Sequence, residues 1–256
     1  MQLLFLGTGG VCGVPEWNCD CAICNSSDPR DKRLRSALLV QAGDVTIVVD
    51  FGPDLRTQLL SYRIRKLDYA FLTHAHGDHM NGYMELARQN NIQLTAPQAV
   101  LDDFFARLGS GREWLRTRNP SSSIVPFRPL RIGGVDIDSI AVEHQKDYAT
   151  TGTACCGYLF HTPSFSFAYI TDFSKILEEE KVRGIDLLIA DGNGMDSKQG
   201  HAGVRGSIEV FKRLSPKRML LTHINHHTSR AIIMEAIRGH GNIDVAYDGL
   251  QIEVET

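Results

Sequence analysis

Apolar residues come along this chain in short runs, each closed by a glycine, an aspartate or a histidine. In the first half the runs QLLFLG (2–7), SALLVQAG (36–43), VTIVVDFG (45–52) and LDYAFLTH (67–74) predict β-strands. In the second half GVDIDSIAVEH (134–144), CGYLF (156–160), FSFAYITD (165–172), DLLIAD (186–191), RMLLTH (218–223) and LQIEVE (250–255) do the same. Helical spacing of apolar residues lies between them, at 53–63, 80–90, 97–108, 206–214 and 229–238. Segment 91–130 mixes both patterns. Strands and helices interleave along the whole length, with no internal repeat and no low-complexity linker, so one domain covering 1–256 is expected.

The closing residues of these runs share a chemistry. Asp50, His74, His144, Asp172 and His223 each end a predicted strand. Strand ends of one chemical type suggest that the side chains converge on one edge of stacked sheets, where loops on a rigid scaffold build sites.

Composition narrows the setting. The chain has 256 residues, 43% hydrophobic and 22% charged, with 27 basic against 30 acidic side chains and a formal charge of −3. That balance argues against nucleic acid as the partner, since such binding rests on a basic surface. The opening MQLLFLGTGG carries no basic stretch ahead of its few apolar residues, and no run approaches the ~20 residues of a membrane span. A cytoplasmic protein with no membrane association is expected. Of the six cysteines, three cluster as C-x-C-x-x-C and two are adjacent, which favours metal binding over a disulfide framework.

The string HAHGDH supplies His74, His76, Asp78 and His79 directly after a predicted strand. An extended start aims His74 and His76 the same way. Asp78 and His79 lie past the turn at Gly77 and can aim at a second position. Imidazoles with a carboxylate suit zinc, manganese or iron. A polar loop opening a helix, with Asp78 near its N-cap, would be the plainer use of these residues, but it leaves the later strand-end histidines unexplained.

HAHGDH resembles the signature of the metallo-β-lactamase fold superfamily. His144, Asp172 and His223 follow in the order of that family, and Asp50 in VVDFG matches its structural aspartate. The resemblance implies an α/β fold, a four-layer αββα sandwich, with a two-metal site between its sheets. It implies that His74, His76 and His144 hold one ion, that Asp78, His79 and His223 hold the other, and that Asp172 bridges them. Two such ions can share a hydroxide and clamp a displacement at phosphorus.

Cys19, Cys21 and Cys24 in WNCDCAIC form most of a zinc site but lack a fourth ligand. They lie in a turn-rich segment with little apolar patterning, which argues against ordinary buried thiols. His161, His201, His226, His227, His240 and the remaining cysteines are all available. His226 is chosen because it follows His223 by three residues, within reach across a turn; spacing leaves His227 open. A knuckle so tied would pin loop 11–30 as a wall of the site.

The opening GTGG…GVPEWNCDCAIC together with an intact HAHGDH and THINH resembles the PhnP-type phosphodiesterases of the carbon–phosphorus lyase pathway. That resemblance implies a structural zinc on the cysteines and a late histidine. It also implies opening of a small cyclic ester, of the phosphoribosyl 1,2-cyclic phosphate kind, by a metal-bound hydroxide, with manganese or zinc in the dinuclear site. A homodimer is a further family expectation. The same family has an active-site histidine where His201 stands in DGNGMDSKQGHAGVRGS, so His201 is assigned as acid or phosphate ligand, beside the alternative of a solvated loop histidine. Asp78 and His201 are thus the candidate catalytic side chains.

Other features allow two uses each. The helix expected near Ser207 could seat a phosphate on its first N–H groups, or simply be capped by Ser207. Asp248 could support a ligand histidine or shape a turn with Gly249. The basic stretches at 30–35 and 107–118 fit a solvated surface better than an anion site. Competing functions are a tRNase Z-like endoribonuclease, a PqqB-like non-hydrolytic carrier, and an ester or thioester hydrolase, because the two-metal core supports several chemistries.

Overall fold

In a computed structural model, residues 1–89, 91–109, 111, 121–144 and 154–254 are described. Two sheets are built from chain-ordered strands. The first contains β1 (Gln2–Gly7), β2 (Ala37–Ala42), β3 (Val45–Val49), β4 (Tyr69–Phe71), β5 (Gln93–Ala96), β6 (Ser123–Pro126) and β15 (Gln251–Glu253). The second contains β7 (Leu130–Ile132), β8 (Val135–Glu143), β9 (Cys155–His161), β10 (Ser166–Ile170), β11 (Lys175–Ile176), β12 (Leu187–Asp191), β13 (Arg218–Thr222) and β14 (Ile243–Val245). Their orders are β15-β1-β2-β3-β4-β5-β6 and β11-β8-β9-β10-β12-β13-β14, with β7 beside β8. Antiparallel hairpins start each sheet, and parallel strands complete it: β3 to β6 in the first, β10, β12, β13 and β14 in the second.

Helices α1 (Leu55–Ser61), α2 (Gly77–Met80), α3 (Tyr83–Leu86) and α4 (Gln98–Leu108) belong to the first half; α5 (Glu179–Val182), α6 (Gly203–Leu214) and α7 (Arg230–Ala236) to the second. Alternation along the strands assigns the layers. Phe167 and Tyr169 of β10, with Leu187 and Ile189 of β12, join the large core shared with the first sheet. Their sequence neighbours Ala168, Ile170, Leu188 and Ala190 join a second core with Val204, Ile208, Leu214 and Ile233 of α6 and α7. Leu55, Val100, Leu101 and Phe104 bring α1 and α4 into the large core. This is the αββα arrangement expected. Among the described residues no helix is long and apolar enough to cross a membrane.

Several local expectations are corrected. The helix predicted at 80–90 is two single turns, α2 and α3, parted at Gly82. A Cβ at Gly82 would lie 2.3 Å from the Gly52 carbonyl oxygen and 2.6 Å from that of Phe51, so chain crossing, not periodicity, sets this break. Gly52 is equally constrained, since a Cβ there would meet the Asp78 carbonyl oxygen at 1.9 Å. These two glycines let the HAHGDH loop lie against the end of β3. Within 91–130, β5, β6 and α4 are resolved as elements. Most of the basic stretch 107–118 lies outside the described residues. The other, 30–35, is not a solvated face: Arg33 is buried and donates to Thr8 Oγ1 and the Ala246 carbonyl, both at 2.7 Å, while Arg35 pairs with Asp54.

Candidate metal centre

The loops that follow β3, β4, β8, β10, β12 and β13 meet at one edge of the two sheets. The sheets touch there as well, since Cys156 N donates to the Thr73 carbonyl at 3.0 Å and the Tyr158 hydroxyl to that of Leu72 at 2.8 Å. Asp50 and His223, each just past a strand, adopt left-handed φ values of 65° and 58°. Such backbone is uncommon for residues with a Cβ and clusters where function needs a side chain re-aimed.

The structure brings the seven strand-end and loop groups into two adjoining sets. His74, His76, His144 and Asp172 make one; Asp78, His79 and His223 make the other. In the second set, Asp78 Oδ2, His79 Nε2 and His223 Nε2 are mutually 3.3 Å apart, and Asp172 Oδ1 lies 3.5 and 3.4 Å from the two imidazoles. A tetrahedral ion with N and O ligands at ~2.0–2.1 Å spaces its ligand atoms by about 3.3–3.4 Å. In the first set, His76 Nδ1 is 2.9 Å from His74 Nε2 and 3.3 Å from His144 Nε2, and Asp172 Oδ2 is 3.8 Å from both of those Nε2 atoms. Asp172 Oδ1 is buried without a hydrogen-bond partner among the described residues. A donor set so spaced, with such an orphaned oxygen, fits metal ions.

Outer contacts orient the imidazoles. His79 Nδ1 donates to Asp50 Oδ2 at 2.8 Å, and Asp50 also accepts from the Thr73 backbone and hydroxyl. His144 Nδ1 donates to the Gly200 carbonyl at 2.9 Å, which leaves Nε2 for the cluster. Such partners set the tautomer and the ring plane of a ligand. Burial, then neighbouring histidines, lowers His74, and burial also lowers His76 and His144, favouring the neutral imidazoles that bind metal. Burial alone would raise Asp172, but His223, His79, His201 and His74 override it and hold the carboxyl well below its usual range. Burial alone would lower His79; Asp78, Asp172 and Asp50 raise it well above an ordinary imidazole. The field that favours a proton there would equally favour a divalent cation.

His201 reaches the same cluster from the loop before α6. Its Nε2 is 3.8 Å from Asp172 Oδ2 and its Nδ1 3.4 Å from Asp191 Oδ1. Burial would lower this imidazole, yet the neighbouring Asp191 and Asp172 carboxylates raise it to about 9. Asp191 itself was missed by sequence reasoning, although it ends DLLIAD just as Asp172 ends FSFAYITD. It is fully buried and accepts from Asn193 N and Gly203 N, both at 3.0 Å.

Ser207 neither caps a helix nor opens a phosphate seat. Helix α6 begins at Gly203, and its first N–H groups already donate to Asp191 Oδ2, the Gly194 carbonyl and the Met195 carbonyl. Ser207 lies inside the helix and donates to the Asp191 carbonyl at 2.6 Å. Asp248 touches no candidate ligand histidine through any hydrogen bond among the described residues; it accepts from Thr8 Oγ1 and Leu34 N beside the buried Arg33.

Beside this centre, Cys19, Cys21, Cys24 and His226 gather as a separate group. His226 Nδ1 lies 3.3, 3.8 and 3.6 Å from the three sulfurs in that order. Tetrahedral zinc with sulfur at ~2.3 Å and nitrogen at ~2.0–2.1 Å separates those atoms by about 3.5 Å. The neighbouring His227 is exposed and is not part of this group, so the fold brings the first of the paired histidines to the thiols. A cleft of about 590 Å³ runs over both groups, lined by Cys12, Glu16, His76, Asp78, Lys198, His201 and His223 among others. That volume suits a small molecule. A larger hollow of about 830 Å³, beside Lys217, Arg218 and α7, holds none of these groups.

Two packed sheets flanked by helices, with histidines and aspartates gathered at the strand ends, define a metal-dependent hydrolase scaffold. The chain belongs to the β-lactamase superfamily domain family, whose model matches residues 45–224. It is similar to a solved diphosphatase from the PhnP family, with 29% identity over 99% of this chain and 98% of that one and a TM-score of 0.84. Zinc-bound PqqB from Methylobacterium extorquens shares the fold, with 20% identity over 99% and 100% of the two chains and a TM-score of 0.82. An octanoyltransferase of Porphyromonas gingivalis is 28% identical over the whole of this chain. The chain spans 52% of that relative's length.

Proposed function

We propose that this protein is a phosphodiesterase that opens a small cyclic phosphate ester, with two divalent ions, manganese or zinc, at the strand-end centre and one zinc in the cysteine knuckle. The observation that carries this reading is the place of His201: its Nε2 lies 3.8 Å from Oδ2 of the carboxylate that joins the two donor sets. The similarity to a PhnP-family diphosphatase supports phosphorus chemistry at such a site.

His74, His76 and His144 would hold one ion, Asp78, His79 and His223 the other, and Asp172 both. Ions so held supply Lewis acidity at a phosphoryl oxygen and acidify the attacking water. Asp50 and the Gly200 carbonyl keep His79 and His144 in the tautomers that leave Nε2 free. Asp78 and Asp172 supply the negative charge that offsets the cations. His201, with Asp191 Oδ1 3.4 Å from its Nδ1, would present Nε2–H to the leaving alkoxide. The walls from loop 11–30 and loop 193–201 bound a cleft sized for a small substrate rather than a nucleic-acid duplex.

Replacing His201 by alanine is expected to slow turnover by about 10²–10⁴-fold, the range for lost general acid help, while the metal content stays at the wild-type value. Parallel kinetics and elemental analysis would show this; wild-type kcat in the variant would remove His201 from the mechanism.

Substrate class is tested by a panel assayed with manganese and with zinc: a ribose 1,2-cyclic phosphate, a linear phosphodiester, a diphosphate anhydride, precursor tRNA and an octanoyl thioester. Cyclic ester opening with the highest kcat/KM is expected. Preference for precursor tRNA would make the protein an endoribonuclease, and preference for the thioester would align it with the activity named for its Porphyromonas relative. No turnover, with zinc in the knuckle alone, would favour a carrier.

A further inference from the structure

We propose that Glu16 is the positioning residue of the cysteine knuckle: its carboxylate fixes the His226 ring so that Nδ1 faces the three thiolates. The inference rests on the reading of Cys19, Cys21, Cys24 and His226 as a zinc site.

Three contacts carry it. Glu16 Oε2 lies 2.6 Å from His226 Nε2, so the carboxylate stands directly against that ring nitrogen. The opposite ring nitrogen, Nδ1, is the atom within 3.3–3.8 Å of the sulfurs. The Glu16 backbone N–H donates to Cys24 Sγ at 3.3 Å, so one residue touches both a nitrogen and a sulfur member of the group. A carboxylate on one imidazole nitrogen forces the proton there and leaves the other as a lone pair, which is how carboxylate–histidine–metal triads raise ligand basicity.

This arrangement also explains the choice between adjacent histidines. His226 and His227 have ring centroids 4.1 Å apart, so either could be near the thiols on distance alone. Among the described residues the Glu16 carboxylate pairs with His226. Glu16 is one-third exposed, and its exposed side is part of the catalytic cleft. Cys12 is also in the cleft wall. Knuckle occupancy and cleft shape are therefore joined through a single side chain.

The test uses the full-length protein loaded with zinc, and separately with cobalt. Thiolate-to-cobalt charge transfer reports the knuckle alone, because among the described residues the strand-end donor sets contain histidines and aspartates and no cysteine. Glu16→Ala is expected to weaken metal retention in chelator competition by about 10–100-fold, the usual cost of losing such an outer partner, and to alter the charge-transfer band. Glu16→Gln keeps a carbonyl acceptor for Nε2–H and should lose only a part of that. Asp20→Ala, which removes an exposed carboxylate from the same loop, should behave as wild type.

Retention in Glu16→Ala within about twofold of wild type, well short of the usual cost, would overturn the proposal. So would Asp20→Ala being as damaging as Glu16→Ala, since general loop charge would then be the cause. If Glu16→Ala does not fold, Glu16→Gln decides: metal release at the wild-type rate overturns the proposal, and faster release supports it. A wild-type protein with no thiolate–cobalt band overturns the zinc knuckle and this inference together, whereas a normal band with an unaffected Glu16→Ala overturns this inference alone.

Discussion

Replacing Asp172 by alanine is expected to empty the strand-end centre and lower turnover by at least about 10³-fold, the scale of losing a principal electrostatic stabiliser. No other group among the described residues sits between both donor sets: Oδ1 faces His79 and His223, while Oδ2 faces His74, His144 and His201. Two divalent cations bring a charge of +4, which Asp78 and Asp172 offset by −2; without Asp172 the residual rises from +2 to +3. The side chain is also buried, so water replaces it poorly. Asp172→Asn keeps the shape and removes the charge, and should lose nearly as much. Elemental analysis should find the knuckle zinc still present in both variants. Wild-type metal content together with wild-type kcat in Asp172→Ala would end the dinuclear reading.

The second large effect falls on stability. Cys21→Ser should release zinc and lower Tm, because a structural metal contributes folding free energy directly. Losing a metal belongs with the substitutions that cost more than about 4 kcal/mol. At ~2–4 °C per kcal/mol for a chain of this size, that predicts a fall in Tm on the order of 10 °C. Segment 11–30 has little apolar packing to hold it: Val11 and Trp17 are exposed, and Val14 and Cys24 are its buried apolar members. Thermal unfolding with zinc quantified before and after gives the answer. Unchanged Tm with zinc retained would mean that Cys21 is not a ligand.

Much of the centre was legible because its donors carry a local pattern. Four lie in HAHGDH, and the others end short apolar runs that read as strands. The layers came only through the family resemblance: β10 and β12 are apolar and buried at nearly every position, so which side chains face which core is not written in them. What failed were statements about neighbours. Ser207 looked like a cap because helical periodicity starts late, yet Gly203 begins the helix once Asp191 takes its N–H. Arg33 looked like solvated charge because its partners, Thr8 and Ala246, come from distant segments. Asp191 carried the strand-end signal and was passed over. Glu16 carried none.

The amino-acid sequence alone therefore determined which chemical groups are present, that they end strands, and that thiols and imidazoles form two distinct donor sets. Those properties depend on residue type and on spacing of a few positions, which local sterics and alternation translate into direction. Only the tertiary structure decided that Asp191 stands beside His201 Nδ1, that His226 rather than His227 groups with the thiols with Glu16 behind it, and that the first N–H groups of α6 are already taken. Each of those is a choice among chemically equivalent candidates. It is made by the relative placement of strand ends and loops, in the knuckle's case some 200 residues apart in sequence, and no local property of the chain encodes that placement.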